Sequence, residues 1–175
     1  MVSVVSVAGR YVLLSVGAAL TVSIGVLIMQ MRHTATGKNR DACTRNLMAL
    51  HSPLRMYMMD HAGQLPSLST DMWKYASNPR ILVCPGSRTK FVAGRTSDLT
   101  NWMDYLYVYW PMGESTSESY PIMYDKDLSH HGGEGLNVMT VDGTCFWDEG
   151  GAWLREFAAT HPDLRIPLPE GVPSQ

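Results

Sequence analysis

The chain has 175 residues, 45% hydrophobic and 17% charged, with a formal net charge of −2. Its length suits about one ordinary domain that buries a core without disulfides, and its charge content, below the ~25% of typical soluble proteins, points to a segment not solvated by water. Residues 46–175 hold nine basic against fifteen acidic groups, a net of −6; with no basic patch and no stacking motif, nucleic acid is not an expected partner.

The N-terminus supplies the unsolvated segment. Tyr11–Met29 (YVLLSVGAALTVSIGVLIM) runs nineteen residues without a charge, and a helix of that length measures about 28 Å against the roughly 30 Å hydrocarbon core of a bilayer. Residues 1–31 are therefore expected to form a membrane-spanning segment, with the span at about 11–29. A cleaved secretory signal would have an apolar region of only about 7–15 residues, and the nearest small-residue cleavage candidate is Thr34-Ala35-Thr36-Gly37. A buried core helix would show a polar stripe where this stretch has only scattered Ser and Thr. Arg32, Lys38, Arg40 and Arg45 lie after the span while only Arg10 and the amino terminus precede it, so a positive-inside count places the C-terminal domain in the cytoplasm.

Residues 32–42 read as a polar juxtamembrane linker, and residues 43–161 as an α+β domain. In that domain Cys43, Leu47, Leu50, Leu54, Tyr57 and His61 recur at intervals of three and four, one side of an amphipathic helix. Pro53 predicts a kink or a helix start near Ser52, and Gly63 with Leu65-Pro66 predicts the helix end. A short amphipathic piece at Thr70–Ala76 precedes Asn78-Pro79 and a brief buried strand at Ile81–Cys84, closed by Pro85-Gly86. Polar loop is expected up to Asn101. Tyr105–Trp110 and Tyr120–Tyr124 read as strands, joined by a surface turn at MGESTSES. Ala152–Thr160 reads as a short helix, and residues 162–175, with four prolines, as an extended tail outside the packed domain.

SHHGGEGLNVMTVDGTCFWDE (Ser129–Glu149) concentrates the candidate chemistry. Asp142-Gly143 is a strong two-residue hairpin turn signal, and in that register Val141 faces Thr144, Met139 faces Phe146 and Val138 faces Trp147. Adjacent His130 and His131 diverge in regular structure, so the pair does not by itself chelate one ion. Asp125, Asp127 and Asp142 are the available further ligands, without a recognised metal-ligand spacing. The weak metal candidates are thus Asp125, Asp127, His130, His131 and Asp142, with calcium as the cation the aspartates would take; no other cofactor is expected. No nucleophile elbow, phosphate loop, dinucleotide fingerprint or H-E-x-x-H is present. Cys43, Cys84 and Cys145 match neither a redox CxxC nor a zinc quartet in their spacing. Either Cys43 pairs with Cys84, which would place the domain outside the cytoplasm against the charge count, or all three are buried free thiols.

Together these segments resemble a known family. The spanning helix, then CTRNLMALHSPLRMYMMDHAGQLPS (Cys43, Asn46, Leu47, Tyr57, Asp60, Gly63 and Pro66), LVCPGS (Cys84 and Pro85) and the His-Gly-Gly to Asp-Gly ending (His131, Gly132, Gly133, Asn137, Val138, Asp142 and Gly143) resemble pseudopilin-like proteins of the type II secretion and type IV pilin superfamily, in particular the branch abundant in planctomycetes and verrucomicrobia. The resemblance implies a pilin-like α+β fold, a long N-terminal helix half in the inner membrane and half packed on a small antiparallel sheet, facing the periplasm. It implies no catalysis, and assembly with other pseudopilin or secretion-system subunits or as a homo-oligomer through the N-terminal helix. Gly9 is the candidate processing glycine, yet Arg10 stands where the family has Phe and Leu14 where it has Glu. A Glu in lipid pairs with a partner's charge, so the departure points to a domain on a permanent, uncleaved anchor. The competing expectation from the residues alone is a membrane-tethered metal-dependent hydrolase using His130, His131 and Asp142.

Overall fold

The computed structural model describes residues 5–67, 71, 73–76, 78–89, 103–111 and 117–173, with side chains from Thr21 onward except those of 32 and 33. Contacts divide the chain into two compact units, Met1–Gly37 and Lys38–Gln175. Helix α1 is Val5–Asp60, so the stretch expected as a linker, 32–42, is helical: it contains no proline, and Gly37 alone costs only about 1 kcal/mol. Among the described residues no helix is long and apolar enough to cross a membrane. The Tyr11–Leu20 half of the expected span, with Leu14, and also Gly9 and Arg10, lie outside the residues whose side chains are described. Val22, Ile24, Val26, Leu27, Ile28, Met29 and Met31, in the first unit, are exposed large hydrophobics.

In the second unit Cys43, Leu47, Leu50 and Leu54 have no exposed surface. The helix does not restart at Ser52; it passes through Pro53, which is itself buried. Its end is set by backbone geometry: Ala62 and Gly63 take positive φ, and the Gly63 N–H donates to the Met58 carbonyl at 2.8 Å, the six-to-one bond of a Schellman cap. Tyr57 and His61 leave the core and stack on each other, ring centroids 3.8 Å apart.

Four strands, β1 (Tyr105–Tyr107), β2 (Pro121–Asp125), β3 (Gly135–Thr140) and β4 (Cys145–Glu149), form one antiparallel sheet in the order β1-β2-β3-β4. Alternation along each strand sorts side chains by face. Tyr105, Asp125 and Asn137 face α1, where they meet Cys43 and Thr44. Tyr124 and Phe146 face the other way, toward Pro167 and toward Trp153 of helix α2 (Ala152–Thr160). β3 is consequently buried at every residue.

Three expectations change. Ile81–Cys84 is not a strand: Asn78 accepts from the Arg80 N–H at 3.1 Å and Pro79 opens a 3-10 helix, Pro79–Leu82, the cap-and-proline pattern of a helix start. The β3–β4 register lies one residue from the expected one, with Met139 opposite Cys145, Val138 opposite Phe146 and Asn137 opposite Trp147. The loop is Val141-Asp142-Gly143, with Thr140 N–H donating to the Thr144 carbonyl at 2.9 Å and Gly143 at φ +88°, a three-residue hairpin with a left-handed glycine. A Cβ on Gly143 would also lie 2.5 Å from the His51 ring. Finally, the Pro-rich tail packs: Ile166 and Val172 are buried, and Glu170 exchanges backbone hydrogen bonds with Lys126 and Leu128 at 2.9 and 3.1 Å. The loop residues 90–102 and the 112–116 part of the expected surface turn lie outside the described residues.

Candidate functional site

The sheet face under α1 gathers the polar side chains that the core hides. Cys43 comes from α1, Cys84 from the segment after the 3-10 helix Pro79–Leu82, Asp125 from the end of β2, and His131 from the 3-10 helix Leu128–His131. Their ligand atoms all lie within 4.8 Å of one another, and all four residues are buried. Cys43 Sγ is 3.1 Å from Cys84 Sγ and 2.9 Å from Asp125 Oδ1. His131 Nε2 is 3.1 Å from Asp125 Oδ2 and 3.5 Å from Cys84 Sγ.

Neighbouring elements fix each group. Asp125 Oδ2 accepts from the Asn137 backbone N–H at 2.6 Å and its side-chain amide at 3.0 Å, and the Asn137 carbonyl oxygen accepts from Thr44 Oγ1 at 2.7 Å. Tyr105 O–H lies 3.1 Å from Cys43 Sγ. Cys84 is placed by Asp104, a buried carboxylate that accepts the Cys84 N–H at 2.9 Å and the Thr89 hydroxyl at 2.6 Å. Gly86 lets this turn approach the histidine segment: a Cβ there would fall 2.0 Å from the His130 carbonyl oxygen, so only glycine admits the contact that brings Cys84 to His131.

The electrostatics are those of a sealed cluster. Burial, then the bond with Cys84 and the charge of Asp125, pushes the Cys43 thiol far up. The Cys43 hydrogen bond holds Cys84 down to about 3, with burial opposing it and both histidines assisting. Burial draws His131 down, but Asp125 and Cys84 outweigh it and lift the imidazole to about 9. Four ionisable groups are thus shut away from water together, and each buried ion costs several kcal/mol unless compensated.

One chemistry fits poorly. A cysteine–histidine–aspartate relay needs the carboxylate on the ring nitrogen opposite the sulfur; here Cys84 and Asp125 both approach Nε2, while the buried His131 Nδ1 has no partner among the described residues. Nor do the four line the neighbouring cleft of about 600 Å³, which is formed by Gly86, Ser87, Arg88, Thr89, Asp127, Ser129 and His130. Two chemistries fit the donors better. The cysteines expected to pair do meet, as free thiols, and two sulfurs, a carboxylate oxygen and an imidazole nitrogen are a four-donor set for a metal ion.

Of the five weak metal candidates, the structure brings Asp125 and His131 together and gives the others different surroundings. Asp127 caps the 3-10 helix Leu128–His131, accepting from the Ser129 N–H and hydroxyl, both at 2.7 Å. Asp142 sits in the hairpin loop, accepting from the Thr140 hydroxyl and from the Thr144 N–H and hydroxyl; these bonds, Thr140 first, hold its carboxyl below the usual range. His130 lines the neighbouring cleft and also lies beside Cys84, which raises its pKa against the pull of burial. The His131 ring lies beside Asn137 in the first half of β3, whereas Asp142 follows the strand's end in the hairpin loop, so the expected hydrolytic trio of His130, His131 and Asp142 does not converge.

Sequence reasoning named Tyr105 only as a strand residue and Asn137 only within the family motif, and did not single out Asp104 or Asp148. The last is a buried carboxylate on β4 that accepts the Trp153 and Leu154 N–H groups, each at 2.9 Å, and so caps α2, whose Gly151 has no side chain to do so. Cys145 stays apart from the cluster, its thiol pushed up to about 11 by burial. Comparison with known proteins finds no matching family model, and no curated protein or solved structure that is significantly similar.

Proposed function

We propose that the chain is a membrane-anchored, pilin-like structural subunit that works by assembly rather than catalysis, its α+β head held beside the inner membrane on the periplasmic side. One observation carries the reading: a single helix bears two kinds of apolar surface. Residues 43–54 present a stripe buried under the sheet, while Val22 to Met31 present large hydrophobics with 44–76% of their surface exposed. Apolar surface of that extent calls for lipid or partner helices. The antiparallel sheet packed on the later part of the same helix agrees with the resemblance to pseudopilin-like proteins, and the closure of the polar cluster agrees with a non-catalytic role. Other pseudopilin or secretion-system subunits, or further copies of this chain, are the partners this reading assigns.

Membrane fractionation of the full chain beside a version lacking residues 1–31 tests the reading. The full chain is expected in the membrane fraction, released by detergent but not by high salt, and the truncated head in the soluble fraction. A full chain that stays soluble without detergent ends the proposal. Mass measurement of the mature N-terminus separates a permanent anchor from cleavage after Gly9.

A further inference from the structure

We infer that Cys43, Cys84, Asp125 and His131 together form a closed, four-coordinate structural site for a zinc-class transition-metal ion. The donor set is two sulfurs, one carboxylate oxygen and one imidazole nitrogen, from residues that are 0–1% exposed. Zinc bonds of about 2.3 Å to sulfur and about 2.0–2.2 Å to nitrogen and oxygen place tetrahedral ligands roughly 3.3–3.8 Å apart. Cys43 Sγ lies 2.9 Å from Asp125 Oδ1 and 3.1 Å from Cys84 Sγ, Cys84 Sγ lies 3.5 Å from His131 Nε2, and all the ligand atoms lie within 4.8 Å of one another, a cage that settles around an ion by shifts of several tenths of an ångström.

Charge favours the same occupant. Two thiolates and a carboxylate around a divalent ion, with His131 neutral, leave a single net negative charge in place of four separate buried ionisable groups. Donors to hold that charge are already in position: the Tyr105 hydroxyl at Cys43 Sγ, and the Asn137 N–H and amide at Asp125 Oδ2. These contacts leave Asp125 Oδ1, the oxygen beside Cys43, to face the ion, an outer arrangement that orients ligands in metal sites. The His131 ring is oriented instead by packing, edge-on to Trp147 at 5.5 Å. Thiolate and imidazole donors select zinc-like ions over calcium or magnesium, which take oxygen cages. A disulfide would satisfy only the sulfurs, leaving the Asp125 carboxylate and His131 buried beside an uncharged bond.

The site does not depend on the assembly reading, and its test is separate. Full-length protein purified in detergent under reducing conditions, without added metal, is expected to carry one zinc per chain by elemental analysis. Chelation and then Co(II) titration of the same protein is expected to give thiolate-to-cobalt charge transfer and the strong visible bands of tetrahedral cobalt, saturating at one equivalent. Cys84→Ser and Asp125→Ala are expected to lose the metal, while Asp127→Asn and His130→Gln keep it. Because the cobalt titration uses the unaltered chain, it stands even if a ligand variant fails to fold. Protein that holds no zinc and gives no tetrahedral cobalt spectrum overturns the inference. So does metal retained by a folded Cys84→Ser chain, or an intact-mass shift showing a Cys43–Cys84 disulfide in the metal-free protein as isolated without reductant.

Discussion

The two ends of β3 hold similar residues in opposite circumstances. At its start, Asp125 and His131 share a dry cluster with two sulfurs, and the carboxylate has no exposed surface. At its end, Asp142 lies exposed in the hairpin loop, its oxygens taken up by Thr140 and Thr144. Both are acidic residues beside a turn, yet one links α1, β2, β3 and the histidine segment while the other shapes three residues of loop. What separates them is the number of chain segments that converge and the absence of water, since a charge lacking solvent depends wholly on its neighbours.

That contrast can be broken from either side. The largest effect is expected at the buried end: Asp125→Ala leaves His131 without its carboxylate and should destabilise the head by about 3–5 kcal/mol, read by urea unfolding of the truncated head or by thermal melting in detergent. Next, Gly86→Ala forces a methyl group into the His130 carbonyl, and overpacking against backbone should cost about 3 kcal/mol; the same melts, with metal content beside them, read it. Asp148→Ala, which strips the cap from α2, is expected to cost about 1–2 kcal/mol, and amide exchange should show the loss concentrated in Ala152–Thr160. The smallest effect belongs to the exposed end, where Asp142→Asn should cost about 1 kcal/mol or less. Its pH dependence sharpens the comparison. The folded carboxyl of Asp142 is held below its ordinary value, so its contribution is present above the unfolded pKa of about 3.9 and disappears as pH falls through the folded pKa. Melting curves of parent and Asp142→Asn should therefore converge in acid and separate toward neutral pH; a gap that widens in acid would contradict the hydrogen-bond account.

The same contrast explains what the sequence discloses. The stripe Cys43, Leu47, Leu50, Leu54 is legible because helical spacing is local and one face of it is buried. The hairpin is legible at Asp142-Gly143, but its register is not: a two-residue and a three-residue loop both use that pair, and β3, buried on both faces, has no polar and apolar alternation to choose between them. Ile81–Cys84 reads as a strand by composition although Asn78-Pro79 carries the stronger helix-start signal. The cluster itself is hidden because metal-ligand spacings report sites built on one turn or one loop. Here the nearest pair, Asp125 and His131, is joined by cysteines lying 41 or more residues away. The one local clue is the glycine after Cys84-Pro85, and its meaning depends on His130, which arrives from another element.

Those separations have a consequence for biosynthesis. Cys43 meets Asp125 across 82 positions and Cys84 meets His131 across 47, so the α1 stripe is not fully sealed until translation has passed the histidines. During that interval the leucines of the stripe emerge from the ribosome without the sheet that covers them, a window in which a holdase chaperone would be the natural companion. The last contacts to close are those of the most distant residues, and they also determine whether the first-made helix ever docks.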